Sequence, residues 1–274
     1  MRASITAWNV QAPSLEHKMQ AFAALGFDGV AFLHRVPAVS TDGQGDRLGE
    51  LLFTWGLEAL VHGAVGNAGR GIRAVREHIE AVARFQAETG RVWAMTFDPG
   101  YRRQGRNAVL YDADRTARVL ELALRRLAPL GVRVGLENWT INTSVGCFER
   151  LAERLGDPAL GVLLDLGHLH IACCSGLLED TPEQYIRALP LPIWELHVHD
   201  NNGLKDQHRP LGRGTLDVER MAGVLAACGF NGYVTVEVIL MDTRRPTCRD
   251  AMRRTRDQTL RALAEALAPS ANET

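Results

Sequence analysis

The chain has almost no net charge and no long hydrophobic run. Its 31 Lys and Arg residues nearly balance 32 Asp and Glu residues, which gives a formal net charge of −1 at pH 7. The sequence therefore offers no global positive field for nucleic acid or for an acidic membrane. No stretch approaches the ~18 consecutive apolar residues that a membrane span needs. We expect no membrane partner, and nucleic acid is disfavoured as a partner.

Cysteine is sparse, and its spacing indicates no disulfide framework. The sequence has 5 cysteines, an odd number without a regular pattern. The adjacent Cys173 and Cys174 are expected to pack at the start of a helix. The N-terminal stretch 1–14 lacks the apolar run that marks a signal peptide. These features predict a cytoplasmic location.

The sequence also lacks a phosphate-binding loop. The glycine-rich stretch 210–214 (PLGRG) does not have the Gly-x-x-x-x-Gly-Lys pattern of such a loop. No nucleotide cofactor is therefore expected.

Short β-branched segments alternate with longer helical patterns, which is typical of βαβ units and a parallel sheet. The length of 274 residues is close to the roughly 250 of a (β/α)8 barrel. Gly26, Gly56, Gly131 and Gly229 are expected to end helices just before the next strand. The eight predicted strands are 3–8, 28–33, 57–62, 91–97, 132–137, 160–165, 193–199 and 233–239.

Eight strands, each followed by a helix, close most naturally into a single (β/α)8 barrel of the α/β class. The barrel is predicted to cover residues 1–267, and the tail 268–274 is expected to be disordered. An open, doubly wound sheet remains the alternative, because sequence alone does not show whether the sheet closes.

Residue types that bind metals recur where the predicted strands end, which is the edge of a barrel where chemistry takes place. Glu137 and Asp165 end the fifth and sixth strands, and Glu237 lies near the end of the eighth. His62 ends the third strand, and Asp98 follows the fourth. Each has an ordinary structural explanation when taken alone, such as a turn or a helix cap. Their recurrence at successive strand ends favours a common site.

The seventh predicted strand adds imidazole groups to this edge. Side chains alternate along a strand, so Glu195, His197 and His199 share one face. Carboxylate and imidazole ligands together suit Mn²⁺, Mg²⁺, Co²⁺ or Zn²⁺. A divalent ion would also offset the repulsion between converging carboxylates. We predict that the barrel binds one divalent metal ion.

Four motifs resemble those of the xylose isomerase-like barrel superfamily, which includes sugar isomerases and epimerases, inosose dehydratases and endonuclease IV. The motifs are GLEN (135–138), LLDLGH (163–168), HVHDNNGLKDQHRPLGRG (197–214) and VEV (236–238). The resemblance implies that Glu137, Asp165, His197 and Glu237 bind the metal. The His-x-x-Asp pattern that His197 forms with Asp200 favours His197 over His199.

The resemblance implies an isomerase or epimerase of a small carbohydrate-like substrate, working through an enediolate. Glu137 and Glu237 would act as base and acid, and His168 would hydrogen-bond a substrate hydroxyl. It also implies that the chain can pair as a homodimer, because barrels of this family often pair. The substrate-binding residues would be His62, His208, Trp139 and Arg102, with Trp8 as a second apolar wall.

Three other functions stay open at this stage. A dehydratase or another lyase would begin with the same removal of a proton next to a carbonyl group. A phosphodiester hydrolase similar to endonuclease IV would complete a multi-metal site with His62, Asp98, His168, Asp206 and His208, although that nuclease has a His where this chain has Asp98. A metal-bearing scaffold without enzymatic activity is the third.

Overall fold

The computed structural model describes residues 1–33, 44–64, 72–104, 108–139 and 144–268. The strands of this part of the chain, in order, are β1 (Arg2–Thr6), β2 (Val10–Gln11), β3 (Gly29–Leu33), β4 (Glu58–Ala64), β5 (Val92–Asp98), β6 (Tyr101–Gln104), β7 (Ala108–Tyr111), β8 (Arg133–Glu137), β9 (Leu160–Asp165), β10 (Ile193–Val198), β11 (Tyr233–Val236) and β12 (Met241–Asp242).

The α-helices of the same part are α1 (Leu15–Ala24), α2 (Gln44–Thr54), α3 (Ile72–Thr89), α4 (Ala113–Leu127), α5 (Val145–Leu155), α6 (Leu166–Cys174), α7 (Pro182–Ala188), α8 (Val218–Ala227) and α9 (Pro246–Leu267). No helix among the described residues is both long enough and apolar enough to cross a membrane.

Eight of these strands form a closed parallel barrel in the order β1-β11-β10-β9-β8-β5-β4-β3. Pairing of β1 with both β11 and β3 closes the sheet. This confirms the predicted (β/α)8 barrel and excludes the open doubly wound sheet. Two small sheets, β2 with β12 and β6 with β7, lie outside the barrel.

Helix ends follow the local sequence signals. Gly26, Gly56, Gly131 and Gly229 all have φ between 65° and 81°, the left-handed conformation that ends a helix without a Cβ clash. The Asp217 carboxylate accepts a hydrogen bond from the backbone N–H of Arg220 and thereby caps α8. The predicted glycine stops are confirmed.

The side chains inside the barrel are apolar near the strand beginnings and polar near the strand ends. Leu60, Trp93, Ala94 and Tyr233 form an apolar cluster near the strand beginnings, together with Ala31. Further along the same strands the buried side chains are polar. The buried polar residues of this region include Ser4, Thr6, His62, Thr96, Glu137, Asp165, Glu195, His197, Thr235 and Glu237. The apolar end stabilises the barrel, and the polar end provides a site.

Several predicted boundaries need correction. Strand β1 ends at Thr6, so Trp8 lies beyond it, and β11 ends at Val236, so Glu237 directly follows the strand. Strand β4 continues two residues past His62. Cys173 and Cys174 lie at the end of α6 and not at a helix start, because the cap Asp165 begins this helix eight residues earlier.

In the basic stretch 101–107, the first four residues form β6, which pairs antiparallel with β7. Residues 105–107 lie outside the described part. Residues 269–274 of the predicted disordered tail also lie outside it, whereas α9 continues to Leu267.

Candidate metal centre

The four predicted metal ligands meet at one edge of the barrel. Glu137 and Asp165 are the last residues of β8 and β9, His197 lies on β10, and Glu237 directly follows β11. These four strands are consecutive neighbours in the barrel. All four side chains are buried, with residue exposures between 0% and 7%.

The Nδ1 atom of His197 is the point on which the three carboxylates converge. It lies 2.8 Å from Glu237 Oε2, 3.8 Å from Asp165 Oδ2 and 3.9 Å from Glu137 Oε1. Yet neither ring nitrogen of His197 makes a hydrogen bond of acceptable geometry with a described residue. A buried polar atom without a hydrogen bond is costly. Donor atoms that crowd together in this way are typical of ligands that share one central cation.

Glu137, Asp165 and His197 offer ligand atoms that all lie within 4.8 Å of one another. Three further triads among the described residues meet the same criterion. They are His62–Asp98–Glu137, Asp165–His168–His199 and His199–His208–Glu237. The residues present therefore fit a divalent ion, by carboxylate and imidazole chemistry as well as by spacing.

Asp165 has two structural roles at once. Its Oδ1 accepts the backbone N–H of His168 at 2.7 Å and so begins α6, while its Oδ2 lies near both His197 and His199. Burial alone would raise the pKa of Asp165, but the neighbouring imidazoles of His168 and His199 hold that pKa well below its usual range. The carboxylate is thus ionised and available as a ligand.

His168 lies between the centre and the surface. Its Nδ1 is 3.3 Å from Glu137 Oε1, and its Nε2 is 3.4 Å from Asp206 Oδ2. Burial would lower the pKa of His168, but Asp165 and the other carboxylates raise it well above its usual value. Trp139 flanks this imidazole, with ring centroids 6.3 Å apart.

His62 contacts the centre from the opposite side. Its Nε2 lies 2.9 Å from Asp98 Oδ1 and 3.4 Å from Glu137 Oε2, and its Nδ1 is 3.0 Å from the Thr96 hydroxyl. Burial works against protonation, but Asp98 and Glu137 together raise the pKa of His62 to about 10. Trp8 packs beside the ring at a centroid distance of 6.2 Å. Asp98, considered as a turn former from sequence, in fact holds His62.

Asp206 and His208 lie on the loop after β10. Asp206 Oδ2 is 3.0 Å from His208 Nε2, and His208 stacks on His199 with ring centroids 4.0 Å apart. His208 has a φ of 44°, a left-handed conformation that is uncommon for a residue with a side chain. Its contacts with Asp206 and with the Glu237 carbonyl, 3.2 Å away, hold it there.

His199 contacts one of the three carboxylates that face His197. Its Nε2 lies 3.2 Å from Asp165 Oδ2, and its Nδ1 is buried without a hydrogen bond to a described residue. The structure thus places His197 in the converging group and His199 beside it, where it supports Asp165. His199 also belongs to two of the four candidate triads, so the preference for His197 that the His-x-x-Asp pattern indicated stays a prediction.

Arg102 is exposed on β6. Its predicted contact with a substrate phosphate or carboxylate stays a prediction.

The sequence alone indicated no role for two buried polar residues that position this site, Asn138 and Glu195. The Asn138 side chain bridges β8 and β9, because it accepts from the Asp165 N–H at 2.6 Å and donates to the Asp165 carbonyl at 3.0 Å. Glu195 lies inside the barrel, 3.4 Å from His197 Nε2. The available signal for Glu195 was an acidic residue within an otherwise apolar strand.

A curated relative with a named activity matches half of the chain. An inosose isomerase of Halalkalibacterium halodurans is 26% identical over 148 residues, which are 50% of this chain and 50% of that protein. The chain spans half or less of the length of the curated relatives it matches.

Solved structures match the whole fold. A D-tagatose 3-epimerase-like protein superposes with a TM-score of 0.75 at 18% identity, over 98% of this chain and 100% of that one. The IOLI protein, solved with a bound zinc atom, gives a TM-score of 0.72 at 16% identity over 98% of this chain and 100% of that chain. At these identities the likeness concerns the fold.

The family model described as xylose isomerase-like TIM barrel matches residues 19–261, which include all four predicted metal ligands and the imidazoles around them. This chain belongs to the xylose isomerase-like TIM barrel family.

Proposed function

We propose that this protein is a divalent-metal-dependent isomerase or epimerase of a small sugar, sugar acid or related polyol ketone. One observation carries the proposal. Two buried glutamates, Glu137 and Glu237, approach the same nitrogen of His197 from different sides of one barrel edge. Paired carboxylates at one centre are what a proton transfer between neighbouring carbons requires. The sugar-epimerase-like and inosose-isomerase relatives support the substrate class.

Glu137, Asp165, His197 and Glu237 would hold the ion. A bound divalent ion stabilises negative charge that develops on adjacent carbonyl and hydroxyl oxygens of a substrate. The ionised state of Asp165, which the surrounding imidazoles favour, suits this role.

The remaining chemistry belongs to the side chains. One of Glu137 and Glu237 removes a proton next to the carbonyl group, which gives an enediolate, and the other returns a proton to the neighbouring carbon or to the opposite face. His168 hydrogen-bonds a substrate hydroxyl from its position between Glu137 and Asp206. Its imidazole can donate there because its pKa is raised.

The other predicted residues would contact the substrate beside this centre. His62 and His208 lie on two sides of the centre, each in contact with one of the glutamates. Trp8 and Trp139 provide apolar walls for the sugar face, each beside one of the site's imidazoles. Arg102 would pair with a phosphate or carboxylate on the substrate. Pairing as a homodimer and a cytoplasmic location stay predictions.

The test is hydrogen exchange on candidate substrates. The metal-loaded protein is incubated in D2O with ketohexoses and inososes, and NMR follows deuterium at the carbon next to the carbonyl group. We expect exchange and an isomerised product with the wild type, and a rate lowered by about 10²–10⁴-fold in Glu137→Gln and in Glu237→Gln, because each removes one general acid–base group. Elimination of water instead of isomerisation would assign the lyase.

The matched control is Glu179→Gln, which removes an exposed carboxylate between α6 and α7. It should exchange at the wild-type rate. Glu137→Gln with bound metal and an undiminished exchange rate would disprove the proton-transfer assignment.

A second candidate function rests on the additional triads. Because His62, Asp98 and Glu137 meet, and Asp165, His168 and His199 meet, the same edge offers ligands beyond one ion. Several ions acting together would suit phosphodiester hydrolysis. Elemental analysis separates the candidates, since about one ion per chain favours the isomerase, and two or three favour the hydrolase.

A further inference from the structure

Glu195 is a carboxylate buried inside the barrel, two residues before His197 on β10. Its exposure is 1%, and its Oε1 lies 3.4 Å from His197 Nε2. An acidic group in such a place is costly unless hydrogen bonds or charges compensate it. The residues around Glu195 show how it is held and what it faces.

One hydroxyl group bonds Glu195 directly, and a second hydroxyl group bonds the first. The Thr235 hydroxyl, from β11, donates to Glu195 Oε1 at 2.5 Å. The Ser4 hydroxyl, from β1, is 2.5 Å from the Thr235 oxygen, and it is the donor there because Thr235 gives its own hydrogen to Glu195. This relay crosses three neighbouring strands and is wholly buried. Glu195 is therefore held in one position.

The two nitrogens of His197 face different groups. Nδ1 faces Glu237, Asp165 and Glu137, whereas Nε2 lies 3.4 Å from Glu195 Oε1. A neutral imidazole carries one proton and one lone pair. If Nδ1 gives its lone pair to an ion, the proton must be on Nε2, and the carboxylate facing Nε2 is Glu195.

We propose that Glu195 is a positioning residue for the metal centre. When Nδ1 binds the ion, the protonated Nε2 of His197, which lies 3.4 Å from Glu195 Oε1, closes on that carboxylate and donates a hydrogen bond to it. Glu195 so holds Nδ1, with its lone pair, toward Glu137, Asp165 and Glu237. Thr235 and Ser4 position Glu195 in turn. A carboxylate behind a ligating histidine fixes its tautomer and orientation, and loss of such a partner typically weakens metal binding about 10–100-fold. This inference rests on the metal centre of the proposed function.

Metal affinity is the direct readout, and it does not depend on knowing the substrate. The purified full chain is stripped with a chelator and titrated with Mn²⁺ by calorimetry and with Co²⁺ by visible absorption. We expect the affinity of Glu195→Gln to be lower by about 10–100-fold, with an altered Co²⁺ spectrum. Thr235→Val, which removes the hydroxyl that holds Glu195, should weaken binding by a smaller factor.

Glu58→Gln is the matched control. It removes a carboxylate at the other end of the same barrel, where Glu58 pairs with Arg2 and accepts the Tyr233 hydroxyl at 2.7 Å. A purely structural role for barrel carboxylates predicts unchanged metal affinity in both glutamine variants. The positioning role predicts wild-type affinity for Glu58→Gln alone.

Imidazole ¹⁵N NMR of the Zn²⁺-loaded protein gives a second readout. The wild type should show His197 with its proton on Nε2, and Glu195→Gln should lose or shift that signal. Folded Glu195→Gln with wild-type affinity and spectrum overturns the inference. Should Glu195→Gln fail to fold, wild-type affinity in Thr235→Val overturns it. A wild type that binds neither Mn²⁺ nor Co²⁺ overturns the metal centre itself.

Discussion

Gly167 allows helix α6 to lie close to the imidazole of His199, which follows β10. Gly167 lies in the first turn of α6, and a Cβ there would be 2.1 Å from Cε1 and 2.6 Å from Nε2 of His199. Only a residue without a side chain allows the imidazole this close, and His199 in turn contacts Asp165. The glycine of LLDLGH is thus explained by the close approach of His199.

Gly167→Ala should therefore displace His199 and disturb Asp165. We expect the free energy of unfolding to fall by about 1–3 kcal/mol, as for other overpacked interiors, and Mn²⁺ affinity to fall as well. Urea unfolding and metal titration measure the two effects. Gly223→Ala in α8 is the control, since no atom lies within 4 Å of its added Cβ and alanine favours a helix. Equal stability of the two variants would contradict the packing argument.

At the scale of elements, the loop between β10 and α8 is organised by one carboxylate. Asp200 is fully buried, and its Oδ2 accepts the backbone N–H groups of Arg213 and Gly214 at 3.0 and 2.7 Å. Its Oδ1 accepts those of Asn201 and Leu216 at 2.9 and 3.0 Å. Asp200 therefore stabilises the loop, which carries Asp206 and His208, from within.

Asp200→Ala should leave these buried N–H groups without their acceptor. We expect the free energy of unfolding to fall by roughly 2–3 kcal/mol and the loop to become sensitive to limited proteolysis. Asp217→Ala, just beyond the loop, removes a single helix-cap bond and should cost only about 1 kcal/mol. A loss at Asp200 no larger than that at Asp217, with unchanged proteolysis, would show that the loop is held by other contacts.

The same elements show what the sequence could and could not predict. Hydrophobic runs located all eight barrel strands, because parallel strands are buried on both faces and consist of continuous apolar residues. Strand ends were wrong by a few residues at Trp8 and Glu237, since hydrogen-bond pairing between strands decides where a strand stops. The role of Asp200 was not predictable, because its amide partners reach 16 residues along the chain and depend on the loop's fold.

At the scale of the whole molecule, the barrel concentrates opposite charges at one end. Glu137, Asp165 and Glu237 converge there, and the imidazoles of His62, His168 and His197 have raised pKa values beside them. Without an ion, protons on these histidines are what compensates the carboxylates. A divalent ion would compete with those protons for the same carboxylates, which would link ion binding to folding stability.

Removal of the ion should therefore lower the melting temperature of the whole barrel. An ion that binds only the folded state, at a free concentration of 100 times its Kd, adds about 2.7 kcal/mol. For a chain of this size that amounts to roughly 5–10 °C in Tm. Scanning calorimetry with Mn²⁺ and with EDTA measures the difference. Asp165→Asn should melt at the same temperature with Mn²⁺ and with EDTA, because it removes the carboxylate that forms a candidate ligand triad with Glu137 and His197. If the wild type keeps its Tm in EDTA while elemental analysis shows that the ion is gone, the stability of the fold does not depend on the metal. Protons alone would then compensate the converging carboxylates.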